Sequence, residues 1–209
     1  MITRLKPAAM MRRAGAELTA HARALQTSVA AVAAVEFALI LPIMVTLLLG
    51  MSEVTHAVNV DRKLTLVSRS LADLTSRDQT ITTTALDDSL KAAAIIMQPF
   101  DTTRLQMTVS NMEVTKTGSN FTAKALWSCP RGPSAVKRPS TTTYTDVPQG
   151  FQNATDTKKS YYMQIDVKLP YTPMFGVAIT GVINLTENTP WPIRSDGAVT
   201  LSGGCPSAT

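Results

Sequence analysis

The chain has 209 residues, 44% of them hydrophobic, with 20 basic and 15 acidic side chains and two cysteines. Of its +5 net charge, residues 1–35 supply +4 and residues 36–209 only +1. The longer part therefore has no basic stripe, nor an aromatic-rich strand motif beside one, and nucleic-acid binding is excluded as the reason for the high pI.

Met1–Ser28 mixes Arg, Ala, Gly and Pro without a sustained apolar face and reads as a cytoplasmic leader. Met10 and Met11 are alternative starts, which would leave a shorter leader with Arg12, Arg13 and Arg23. The next stretch, Val29–Ser52, carries one charged residue, Glu36, and no polar face. At about 1.5 Å rise per residue, a helix of this length spans the roughly 30 Å hydrocarbon core of a bilayer. Arg4, Lys6, Arg12, Arg13 and Arg23 lie before it against Glu17 alone. Arg62, Lys63 and Arg69 follow it, against Glu53 and Asp61. The basic excess holds the N-terminus in the cytoplasm and sends the rest across the membrane.

A carboxylate on a membrane helix costs a few kcal/mol and calls for a partner, unless it reaches the headgroups. Glu36 sits in Ala33-Ala34-Val35-Glu36-Phe37-Ala38-Leu39-Ile40-Leu41-Pro42. With its basic leader, this stretch resembles the TadE-like minor pilins, or pseudopilins, of tight-adherence pilus systems. The motif covers about 10 residues, and the likeness extends to about residue 75. The resemblance implies cleavage by prepilin peptidase between Ala31 and Val32, which places Glu36 fifth in the mature chain and Phe37 sixth. Ala31 stands where the family usually carries Gly. It further implies that Glu36 pairs with the new α-amino group of Val32 on a neighbouring subunit. The implied partners are the membrane, other pilins, pilus-assembly platform proteins and the peptidase, with no cofactor, small-molecule substrate or nucleic acid. If the leader stays on, the same resemblance implies a bitopic assembly factor outside the fibre. An ordinary secretory signal competes, with an apolar region at Ala38–Leu49 and a poor cleavage site ending at Ala57, but Glu36 and Pro42 fit it badly.

Past the span, Val60, Leu64, Val67, Leu71 and Leu74 recur at spacings of four and three, opposite Asp61, Arg62, Lys63, Arg69 and Asp73. That amphipathic stripe packs on the chain's own sheet or forms a coiled-coil seam, and the first is favoured. Thr82–Thr84 offer N-caps for a second helix from Ala85 to about Gln98. Asp87 and Asp88 are expected in its first turn, Leu86, Leu90, Ala93, Ala94 and Met97 on its buried face, and Pro99 as its stop.

Alternation then takes over in residues 105–110 and 161–169, and more weakly in Phe121–Trp127 and Gly181–Leu185. This predicts about four antiparallel strands with one buried face. Pro130–Ser160, with four prolines and many Ser, Thr and Lys, is expected to be an exposed loop with a short hairpin near Tyr144. The fold class is thus α+β. A leader (1–31) precedes a transmembrane helix with its extension (32–75) and a pilin-like periplasmic domain (76–209) large enough for one core.

Cys129 and Cys205 form an even pair, which in an oxidising periplasm is most simply a disulfide; two separate buried thiols are the alternative. A bond would close a loop of some 75 residues and contribute roughly 4 kcal/mol in the chain-entropy model. His21 falls in the leader and His56 at the membrane exit, so no His/Cys metal cluster is expected. Glu53 and His56 share a helix face near Asp61 and read as a solvated polar collar. No phosphate-cradling Gly loop, HExxH or nucleophile elbow is present, so no catalytic site is assigned. The resemblance implies a bacterial source, in which the N-x-Thr triplets at Asn120, Asn153 and Asn184 are read as coincidence.

Overall fold

A computed structural model describes residues 29–174, 181–195 and 197–207. The leader 1–28 lies outside the described residues. The chain divides into two units, Met1–Ser52 and Glu53–Thr209. Helix α1, Val29–Thr75, contributes its first part to one unit and its second to the other.

In the first unit, α1 presents apolar side chains outward throughout. Phe37, Leu39, Ile43, Leu47 and Leu48 are all at least 60% exposed, and the most apolar window of the helix has no buried residue. The helix is long and apolar enough to cross a membrane once. Pro42 lies inside it and lacks the N–H that would serve the Ala38 carbonyl. One turn on, the Thr46 hydroxyl donates to the Pro42 carbonyl at 2.7 Å.

In the second unit, residues 53–75 of α1 and helix α2 (Thr83–Ile96) cover one face of a sheet ordered β3-β2-β4-β5. Its strands are β2 (Gln106–Thr117), β3 (Asn120–Arg131), β4 (Ser160–Tyr171) and β5 (Ile183–Pro192), all antiparallel. The expected α+β class and four-stranded antiparallel sheet are therefore present. Val60, Leu64, Val67 and Leu71 are buried in one core with Leu86, Leu90, Val109, Ile165 and Val167, so the stripe packs on its own sheet. Leu74 departs from the stripe: it is 39% exposed, and Thr75, one position on, is buried. A spacing of 3.6 carries the inward face from 71 to 75 rather than 74.

Helix α2 starts two residues before the expected Ala85. Thr82 is its N-cap, its hydroxyl accepting from the Ala85 N–H at 3.2 Å. Its first turn accordingly holds no acid. Asp87 and Asp88 fall in the second turn, where Asp87 pairs with Lys91 and with Arg131 of β3. The helix ends at Ile96, before Pro99.

The sheet has two buried faces where one was expected. Met107 and Val109 of β2 belong to the helix-side core. Met112 and Val114 of the same strand belong to a second core with Ala123, Ala125, Val147, Ala154 and Tyr162. The strand register shifts between Asn111 and Met112, opposite Trp127 and Ala125, leaving Leu126 as the extra residue of a bulge. Pro130–Ser160 is thus not simply an exposed loop. Its middle crosses the sheet's outer face, and Tyr144 exchanges two 2.8 Å backbone hydrogen bonds with Ala123. Two short strands went unforeseen: β1 (Thr80–Thr82) pairs in parallel with β6 (Thr200–Ser202).

Candidate assembly segment

The residues singled out in the sequence fall in two places. Ala31, Val32, Glu36 and Phe37 lie in the first turns of α1; Val32, Glu36 and Phe37 are exposed and Ala31 is half-buried. Among the described residues Glu36 has no hydrogen-bond or ion-pair partner. An acid set among outward-facing Val35, Phe37, Leu39 and Ile40 can do little chemistry by itself. In an apolar medium it is a strong acceptor of a cation or a proton.

Cys129 and Cys205 are joined by a disulfide closing a 76-residue separation. Cys129 is fully buried in β3, so the bond fixes the C-terminal tail to the centre of the fold. Neighbouring contacts act in the same sense. The Thr83 hydroxyl donates to the Gly204 carbonyl at 2.8 Å. Arg131 donates to the Ser207 carbonyl at 3.0 Å while bonded to Asp87. Trp127 Nε1 and Asn111 Nδ2 both donate to the Val199 carbonyl, at 2.6 and 2.8 Å. Arg194 pairs with Asp73 of α1.

Sequence reasoning treated Glu53 and His56 as a solvated collar and missed their long-range partner. The Tyr171 hydroxyl at the end of β4 donates to Glu53 Oε1 at 2.6 Å, and His56 Nδ1 lies 3.0 Å from the same hydroxyl. Glu53 also accepts from the Met174 N–H at 3.1 Å, and the His56 ring meets Phe100 edge-on at 5.1 Å. Burial, reinforced by the bond to Glu53, pushes the Tyr171 hydroxyl up to about 12. The i, i+3 pairing of residues 53 and 56 was visible in the sequence, but no local signal could point to residue 171. Among the described residues no group of three or more His, Cys, Asp or Glu is placed to hold a metal.

Residues 31–73 match the family model of the TadE-like proteins. Over this segment the chain is similar to that family. The match begins at Ala31 and ends two residues before α1 does, so it covers the outward-facing apolar part and the buried stripe together. No match is found among curated proteins or among solved structures. The matched residues include the part of α1 that is long and apolar enough to cross a membrane.

Proposed function

We propose that the protein is a minor pilin or pilus-assembly protein of a tight-adherence, type IVc-like system. It works by helix packing and has no catalytic role. The observation that carries this reading is the family match itself, which starts at the expected cleavage point and follows a helix whose first half is apolar on every side. In this reading the leader lies in the cytoplasm, α1 crosses the inner membrane once, and the sheet domain is periplasmic. Prepilin peptidase cuts between Ala31 and Val32. The freed α-amine of one subunit then meets Glu36 of its neighbour, converting an unpaired membrane carboxylate, which costs a few kcal/mol, into an ion pair. Phe37 and the leucines after it pack against neighbouring helices.

Mass spectrometry of the protein recovered from its own cells tests the cut. A mature chain starting at Val32 is expected. An intact leader overturns the fibre role and leaves a single-pass periplasmic scaffold; a start near Val58 overturns both. Glu36→Gln tests the pairing. It should leave cleavage and membrane insertion intact while subunit recruitment to the pilus is lost, and normal piliation would refute the role given to Glu36.

A further inference from the structure

Strand β5 is an edge of the sheet, bonded on one side to β4. Two prolines fix the phase of that bonding. Pro190 and Pro192 lie opposite Gln164 and Tyr162, and a proline has no N–H to give a neighbouring strand. Residues of their parity turn their main-chain groups away from β4, while the residues between them bond to it. Asn184, Thr186 and Asn188 share that parity, so their N–H and C=O groups point outward. Among the described residues no main-chain partner meets these groups from the outer side.

The sheet's two edges differ. At β3 the chain covers its own edge: Tyr144 exchanges backbone bonds with Ala123, and the Arg138 N–H donates to the Ser128 hydroxyl at 2.9 Å. Pro130 stands near the end of the same strand. At β5 the prolines close only the second half. Over Asn184–Asn188 the edge has no proline, no lysine and no shift of register, the usual devices that turn a foreign strand away. The open stretch is about 17 Å long at roughly 3.4 Å per residue.

A row of outward main-chain donors and acceptors selects an extended backbone, and the side chains beside it select which kind. Glu187 faces the helix side, between Leu185, packed on the helix-side core, and Thr189, buried and bonded to Ser68. It is half-buried, with no hydrogen-bond or ion-pair partner among the described residues. A strand laid beside β5 sets one side chain about 5 Å from it, where a cation is favoured and an acid repelled. If α1 crosses a membrane, as proposed, a second copy of the chain does not fit. A two-fold pairing of β5 with itself is antiparallel about an axis normal to the sheet. Val60 to Leu71 of α1 lie along that sheet, so the two helices would run in opposite directions. We propose that the β5 edge over Asn184–Asn188 docks an extended segment of another protein, added antiparallel, with Lys or Arg opposite Glu187.

The full-length protein, purified in detergent, is titrated calorimetrically with the acetylated and amidated peptide Thr-Val-Thr-Lys-Thr-Val-Thr. It should bind saturably with a Kd on the order of 0.1 mM. N-methylating the inner threonine amides, which face β5, should abolish binding, whereas N-methylating the valine and lysine amides, which face away, should not. Replacing the lysine by glutamate should weaken binding about threefold or more. Thr186→Pro continues the proline series without removing a donor from the β4 ladder, and it should abolish binding in a folded protein. Asn188→Pro replaces it if Thr186→Pro does not fold, and the methylated peptides need no variant at all. In the free protein the amides of Asn184, Thr186 and Asn188 should exchange with deuterium fast and those of Leu185 and Glu187 slowly, with the peptide slowing the first three. Leader cleavage and piliation enter none of these readouts, so the docking site and the pilin reading fail separately. The proposal is overturned by absence of saturable binding, by equal effects of the two methylation patterns, by binding that survives the proline variant, or by dimerisation of the free protein that the proline variant abolishes.

Discussion

The hydroxyl of Tyr171 and the carboxylate of Glu53 meet at 2.6 Å across 118 residues of sequence, tying the end of β4 to α1 just beyond its apolar run. Tyr171 is 7% exposed, so its hydroxyl depends on that acceptor. Tyr171→Phe should cost about 1–2 kcal/mol, since it also leaves Glu53 and His56 one partner short. Chemical denaturation of variant and parent checks the value.

The same contact has a signed pH dependence. The Tyr171 hydroxyl is raised from 10.0 to about 12 in the fold, so the folded state holds the proton more tightly than the unfolded chain. Its stabilising contribution is whole below pH 10 and is lost as the pH climbs toward 12. The parent should lose more stability across that window than Tyr171→Phe does, as read from melting temperatures at successive pH values.

Two leucines three residues apart should behave oppositely. Leu71 is fully buried against the sheet, and Leu71→Ala should cost about 2–5 kcal/mol through lost transfer energy and an unfilled cavity. Leu74 is 39% exposed, and Leu74→Ala should change stability by no more than about 0.5–1 kcal/mol. Equal losses would mean that the stripe faces a partner as well as its own sheet.

Gly132, directly after β3, has φ +95°, and an added Cβ would sit 2.0 Å from the Leu105 carbonyl oxygen. Gly132→Ala should therefore cost on the order of 2–3 kcal/mol or more, because backbone must move. Gly118, first residue of the β2–β3 turn at φ +64°, has open space around it. Gly118→Asn should be tolerated within about 1 kcal/mol, since Asn accepts that conformation. Melting curves of the pair distinguish a steric requirement from a conformational one.

Removing the disulfide by Cys205→Ser should release the tail and cost roughly 2–4 kcal/mol. Beyond Val199, which stays buried with its carbonyl bonded to Trp127 and Asn111, the remaining anchors, β6 on β1, Thr83 on Gly204 and Arg131 on Ser207, are exposed and should not hold alone. Faster proteolysis beyond Thr200 is the expected readout.

What could be read from the chain were features that repeat or stand alone. A run with one acid, a four-and-three stripe, a threonine before a helical pattern and two alternating stretches each have one dominant physical cause. The second core escaped because its contributors from 132–159, Val147 and Ala154, are single apolar residues in a polar segment with no period to detect. Leu74 was assigned inward because it fitted a rounded spacing, whereas the true turn favours Thr75. The parallel pairing of β1 with β6 joins two three-residue segments 120 positions apart, below what any local pattern can announce. For Ala31, Val32, Glu36 and Phe37 the sequence remains the richer source, because their proposed partners belong to other molecules.

Strand β2 turns its apolar residues toward the helices over Met107–Val109 and toward the opposite side over Met112–Val114. Sliding it by a single position against either neighbour would strip both cores at once, pushing greasy side chains into water above and below. Misalignment is thereby penalised twice, and the hairpin with β3 has an internal gauge that rejects near-miss pairings while the domain is still assembling.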